Sequence, residues 1–111
     1  MSPGKIAAQC SHASLGAYRH SMRDPESAKL VGAWIRRGQA KIVLKCKGKT
    51  QMDELKEVLE AAGHVTHVVE DAGRTEVEPG TETVLAAGPS FVDEIDKITG
   101  RSGSHALSLF R

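Results

Sequence analysis

The feature that most constrains this chain is a change of hydrophobic period along it. Stretches that repeat every three to four residues alternate with short stretches that repeat every two, separated by Gly, Pro and Asp. Ser2-Pro3 reads as an N-cap followed by proline at the first helical position, and helical periodicity runs from Gly4 to about Arg23. Asp24-Pro25 restarts it, and Leu30, Val31, Trp34 and Ile35 predict a second helix that stops at Gly38. Ala40 to Cys46 alternates and is rich in β-branched residues, which predicts a strand with Lys41, Lys45 and Lys47 on one side. Thr50 with Asp53 resembles a capping box, and Met52, Leu55, Val58 and Leu59 give a third helix its buried face before Gly63. Val65 to Glu70 predicts a second strand, Asp71 to Thr81 a loop, and Thr83 to Ala87 a short apolar strand. Pro89 to Thr99 predicts a fourth helix, and Ala106 to Phe110 a last strand. Helices alternating with strands predict an α/β fold, a three-layer sandwich in which helices flank one mixed sheet of about four strands.

The 111 residues suit one domain spanning 1–111, and with aromatics at 4% its core must come from Leu, Val, Ile and Ala. Cys10 and Cys46 are isolated, so neither a disulfide framework nor a structural zinc site is expected. No apolar run reaches the length of a membrane span, and the N-terminus lacks a signal-peptide layout. A cytoplasmic protein is expected, with mitochondrial association as the alternative. The formal net charge of +1 hides an asymmetry: residues 1–50 hold ten Lys/Arg against two acidic residues, and residues 51–111 hold five against twelve. A basic half can steer a polyanion if its cations share a face, and interleaved halves that neutralise each other are the alternative.

Lys5 breaks a local rule, being a cation in the first helical turn, where the macrodipole already places partial positive charge. Such a lysine beside unpaired N–H groups makes an anion site. Gln9, His12 and Gly16 repeat its helical spacing on the same face. Asp71-Ala-Gly-Arg-Thr75 and Pro79-Gly-Thr-Glu-Thr83 lie where one strand ends and the next begins, which is where α/β sheets place their sites. There Gly73 and Gly80 permit turns, Arg74 offers a phosphate fork, and Asp71, Thr75 and Thr83 supply a carboxylate and two hydroxyls. The spacing of a phosphate-binding G-x-x-x-x-G-K-[ST] loop and a G-x-S-x-G nucleophile turn are both absent.

Gly4-Lys-Ile-Ala-Ala-Gln-x-x-His12-Ala, Gly38-Gln-x-Lys-Ile-Val-Leu-Lys45, Asp71-Ala-Gly-Arg-Thr75, Glu78-Pro-Gly-Thr-x-Thr-Val-Leu85 and Ile95-Asp-Lys-Ile-Thr-Gly100 together resemble the archaeal and eukaryotic type of peptidyl-tRNA hydrolase. The resemblance spans residues 4 to 100 in order. It implies a homodimeric α/β enzyme that cleaves the ester between a peptide and the 3′ ribose of tRNA without metal or cofactor. Its catalytic positions fall on Lys5, Asp71, Thr75 and Thr83, all present here. Gln9, His12, Arg74, Lys41 and Lys45 are the candidates for binding the tRNA substrate. Family members carry a further strand before the Gly-Lys, so one sheet strand is expected to be missing, and an inserted loop is expected at Arg101 to His105. On these roles Asp71 pairs with Lys5 and orients a water, Lys5 and its helix N-terminus meet the oxyanion, and Thr75 or Thr83 donates a hydroxyl. His12 is the rival base. A non-catalytic binding module that retains the fold is the alternative function.

Overall fold

Ser2 caps the first helix as its place before Pro3 predicts. Its Oγ accepts the Lys5 N–H at 3.3 Å in the computed structural model, which describes residues 1–71 and 80–111. Helix α1 runs over Pro3–Ser21 and α2 over Pro25–Arg36. Asp24 caps α2, its carboxylate accepting the N–H groups of Glu26 and Ser27 at 3.1 Å each. Helix α3 covers Lys49–Ala61 and α4 Val92–Thr99, while β1 is Thr66–Glu70 and β2 Glu82–Ala87.

The expected capping box at Thr50 does not form. Gly48 is the N-cap of α3 and already lies outside the helix, so Thr50 sits inside the first turn, and Asp53 instead takes the Lys49 ammonium at 3.1 Å. The fourth helix starts at Val92 rather than Pro89, because Phe91 is still extended at ψ 136°.

The expected mixed sheet of about four strands is, among the described residues, a two-stranded antiparallel sheet. The predicted strand over 40–46 and the last one over 106–110 make only a single bridge, Leu44 to Leu109, flanked by hydrogen bonds from Lys45 N–H to Ser108 O and Phe110 N–H to Val43 O. Alternation reports that a segment can bury one side, but a strand exists only where a neighbour supplies the ladder. Here the pairing amounts to the Leu44–Leu109 bridge, and Ile42 is 74% exposed.

Helix α1 covers one face of the β1–β2 ribbon and α3 with α4 cover the other. Leu85 faces the second side, packed on Leu55, Leu59 and Ile98 with Val58, Ile95 and Leu107, and there Thr66 donates to Glu60 of α3 at 2.9 Å. On the first side Ala13 and Ala17 of α1 are buried, and the chain can approach closely because position 16 is glycine: a Cβ there would overlap the His67 ring. His67 meets His20 edge to face, with ring centroids 4.9 Å apart. Ile6 and Cys10, nearer the start of α1, line an open groove of about 400 Å³ shared with Pro3, Ala7, Val43 and Phe110.

Candidate active site

The strand register turns irregular where chemistry-bearing residues gather. Val69 pairs with Val84 and Glu70 with Glu82, so Thr83 is the extra residue of a bulge in β2. A bulge re-aims a side chain that strict alternation would send to the other face. Thr83 consequently points at α1, where its Oγ accepts the Gln9 amide at 2.6 Å and donates to the Val69 carbonyl at 3.2 Å. Gln9 is buried, and both of Thr83's hydroxyl roles are occupied, so this link fixes the register of α1 against the ribbon.

One turn before Gln9, Lys5 reaches the end of β1. Its ammonium donates to Asp71 Oδ1 at 2.5 Å, and the two side chains are only 8% and 5% exposed. Asp71 is itself held by backbone: its N–H donates to Thr81 O and its carbonyl accepts the Gly80 N–H, each at 2.8 Å. Gly80 closes that turn at φ 80°, a left-handed conformation that suits glycine. The pair explains why a lysine is tolerated at a helix N-terminus. The buried carboxylate supplies the negative charge that the macrodipole favours there, and Lys5 neutralises it in turn. Placing this pair out of water strengthens any interaction it makes with a developing charge.

The structure therefore brings together four of the residues singled out from the sequence: Lys5, Gln9, Asp71 and Thr83. Arg74 and Thr75 lie outside the described residues. His12 is exposed on α1. Lys41 and Lys45 stand on the irregular segment after α2, with the Lys41 ammonium 5.1 Å from the centre of the Trp34 ring. Sequence reasoning missed that Gln9 and Thr83 are partners, because a bulge cannot be read from alternation. The helix spacing of Lys5, Gln9 and Gly16 was the signal that one face of α1 lies along the ribbon. Further along that face, burial and then the nearby His20 push the His67 imidazole below its usual range.

A buried lysine–carboxylate pair between a helix N-terminus and a strand end, next to a bulge, defines the chain's class only with help from its relatives. A family model described as "Peptidyl-tRNA hydrolase PTH2" matches residues 1–102. The "Peptidyl-tRNA hydrolase" of Methanopyrus kandleri is 50% identical over 100 residues, covering 90% of this chain and 84% of that protein. The protein of the same name in Halobacterium salinarum is 42% identical over 110 residues, covering 99% and 89%. "Peptidyl-tRNA hydrolase 2" of Saccharomyces cerevisiae is 44% identical over 104 residues, and the chain spans 50% of its length. The chain belongs to the peptidyl-tRNA hydrolase PTH2 family, the archaeal and eukaryotic type. No helix among the described residues is long and apolar enough to cross a membrane.

Proposed function

We propose that this chain cleaves the ester of peptidyl-tRNA at the Lys5–Asp71 pair. Water adds to the ester carbonyl, the bond to the ribose oxygen breaks, and the products are a free peptide carboxylate and a tRNA with its terminal hydroxyl restored. Asp71 orients the attacking water and takes up its proton, and Lys5 with the positive end of α1 meets the oxyanion. A carboxylate is a weak base, so most of the acceleration comes from positioning and electrostatics. Thr75 or Thr83 donates a hydroxyl to the substrate, Thr83 giving up its bond to the Val69 carbonyl to do so. Gln9 holds Thr83. His12, Arg74, Lys41 and Lys45 take phosphates or sugar of the tRNA.

The observation that carries the reading is the burial of Lys5 against Asp71, a costly arrangement that packing alone does not require. The chain works as one domain in the cytoplasm, without metal or cofactor, and as a homodimer; exposed Leu15, Tyr18 and Met22 on one face of α1 support the pairing. The test is release of tRNA from peptidyl-tRNA by purified, chelator-treated protein at several salt concentrations. Turnover with a KM that climbs steeply with salt is expected, since each phosphate contact releases condensed counterions. Tight tRNA binding without any turnover would favour the binding-module alternative, and a salt-independent KM would remove the basic half from substrate docking.

A further inference from the structure

Helix α2 ends in a turn that places a tryptophan and a lysine together. Gly38 and Gln39 both adopt left-handed backbone, at φ 101° and 58°. Their N–H groups close the helix onto Ile35 O at 3.2 Å and Trp34 O at 2.9 Å. For glycine this is ordinary, but for glutamine it is a sparsely populated conformation, of the kind that persists where its surroundings impose it and that gathers at functional sites. The reversal brings the Ala40 carbonyl back to accept the Trp34 indole N–H at 2.8 Å, and sets the Lys41 ammonium over the ring. The indole is thereby held at its edge by a hydrogen bond, and the Lys41 ammonium on its face also donates to the Gln39 carbonyl at 3.2 Å.

The segment that carries this ring is basic in sequence, with Arg36 and Arg37 following Trp34 and Lys41, Lys45 and Lys47 beyond. Arg19, Arg23, Arg36, Arg37, Lys41, Lys45 and Lys47 make no ion pair among the described residues, whereas Lys29 and Lys49 do. A cation beside a fixed aromatic ring, as Lys41 stands beside Trp34, supplies the two components by which proteins hold single-stranded nucleic acid, charge for the backbone and a π-face for the base. A duplex offers no base face to such a ring. Lys41 is two residues from Val43, at most about 7 Å of chain. Val43 in turn shares a groove with Pro3 and Ile6, in the same turn of α1 as Lys5. The chain thus leads from the ring, through Lys41, to a groove at the N-terminus of α1.

We propose that Trp34, with Lys41 as its movable cover, is a stacking subsite for an unpaired nucleotide of the tRNA substrate. This rests on the hydrolase reading and adds to it the residue that holds the single-stranded 3′ end. When the base arrives, Lys41 leaves the ring for a phosphate, so that one exchange supplies both stacking and charge neutralisation.

Trp34 is the sole tryptophan of the chain, so its fluorescence reports this ring alone. The experiment titrates the full chain with deacylated tRNA and with a short oligoribonucleotide ending in CCA, reading indole emission and filter retention in parallel. Saturable quenching by both RNAs is expected. Trp34→Ala should weaken oligoribonucleotide binding about tenfold or more and Trp34→Phe, which keeps a stacking face, by no more than about threefold. Lys41→Ala should lower the salt slope of binding by about one unit. If tRNA is retained on filters while the emission of the wild-type chain does not change, the subsite is wrong and the hydrolase reading stands. If peptidyl-tRNA is neither bound nor cleaved, both fall. Because wild-type quenching and the Phe variant are read independently, a Trp34→Ala chain that fails to fold does not shelter the proposal.

Discussion

Replacing Lys5 by Met removes the ammonium that pairs with the buried Asp71 carboxylate. Replacing Asp71 by Leu strands the ammonium instead. Because both side chains are more than nine-tenths buried, solvent and salt screen little of this penalty. Breaking a buried pair from one side costs roughly 3–5 kcal/mol, whereas replacing both partners by apolar groups of similar volume is often neutral. For a chain of 111 residues, about 4 °C of Tm per kcal/mol turns each single loss into a fall of roughly 12–20 °C. The double variant Lys5→Met/Asp71→Leu should recover most of that, since the backbone bonds from Asp71 to Thr81 and Gly80 need no carboxylate. Thermal unfolding followed by circular dichroism measures all four proteins. Single variants that melt within about 3 °C of wild type, or a double variant that loses the sum of the two, would show that the pair is not a desolvated ion pair. Neither outcome bears on catalysis directly, and the stable double variant should nonetheless release no tRNA, which separates the pair's chemistry from its structural cost.

Gly16→Ala should destabilise the fold by roughly 1–3 kcal/mol although alanine is the better helix former, because the new methyl overlaps the His67 ring; Gly16→Ala/His67→Ala should recover much of it, and chemical denaturation of both variants decides. Thr83→Val keeps the shape and leaves the buried Gln9 amide unpaired, for an expected loss of about 1–3 kcal/mol by the same assay, and a smaller loss than that of a surface Thr→Val control would show that the link is dispensable. Stability should also depend on the His67 proton. Its folded-state pKa is lowered by burial and by His20, so between that value and about 6.5 the unfolded chain binds more protons, and stability rises with pH through the window and is lost as pH falls below it. A Tm profile between pH 5 and 8 should flatten in His67→Gln, and an unchanged profile would assign the acid loss to other groups.

Helix positions were the most legible part of the sequence, because caps and glycine stops are local chemistry. Ser2, Asp24 and Gly38 stand at the ends they announced. Thr50 failed as a cap because Gly48 ends the preceding segment two residues earlier, a choice made by the chain path and not by the box itself. Strand pairing was legible only in part. The 40–46 segment has the composition of a strand, yet pairing depends on what lies beside it in space, and composition carries no such information. At the site, Lys5 was conspicuous because it violates the dipole rule, and its partner Asp71 sits at a strand end where α/β folds place reactive groups. The Gln9–Thr83 bond was hidden by the bulge that turns Thr83 across the ribbon. Gly16 and His67 are 51 positions apart in sequence, and only the packing of α1 on β1 shows why one needs the other.

Ester cleavage at the Lys5–Asp71 pair is read out by the single-turnover rate of peptidyl-tRNA hydrolysis by Asp71→Asn. This variant keeps the shape of the side chain and removes its charge and basicity. With enzyme in excess over substrate, binding and product release drop out of the rate. Circular dichroism at the assay temperature establishes that the protein is folded. The account predicts a rate lower than wild type by about a hundredfold or more. A folded Asp71→Asn chain that cleaves within about threefold of the wild-type rate would place the chemistry elsewhere in the molecule.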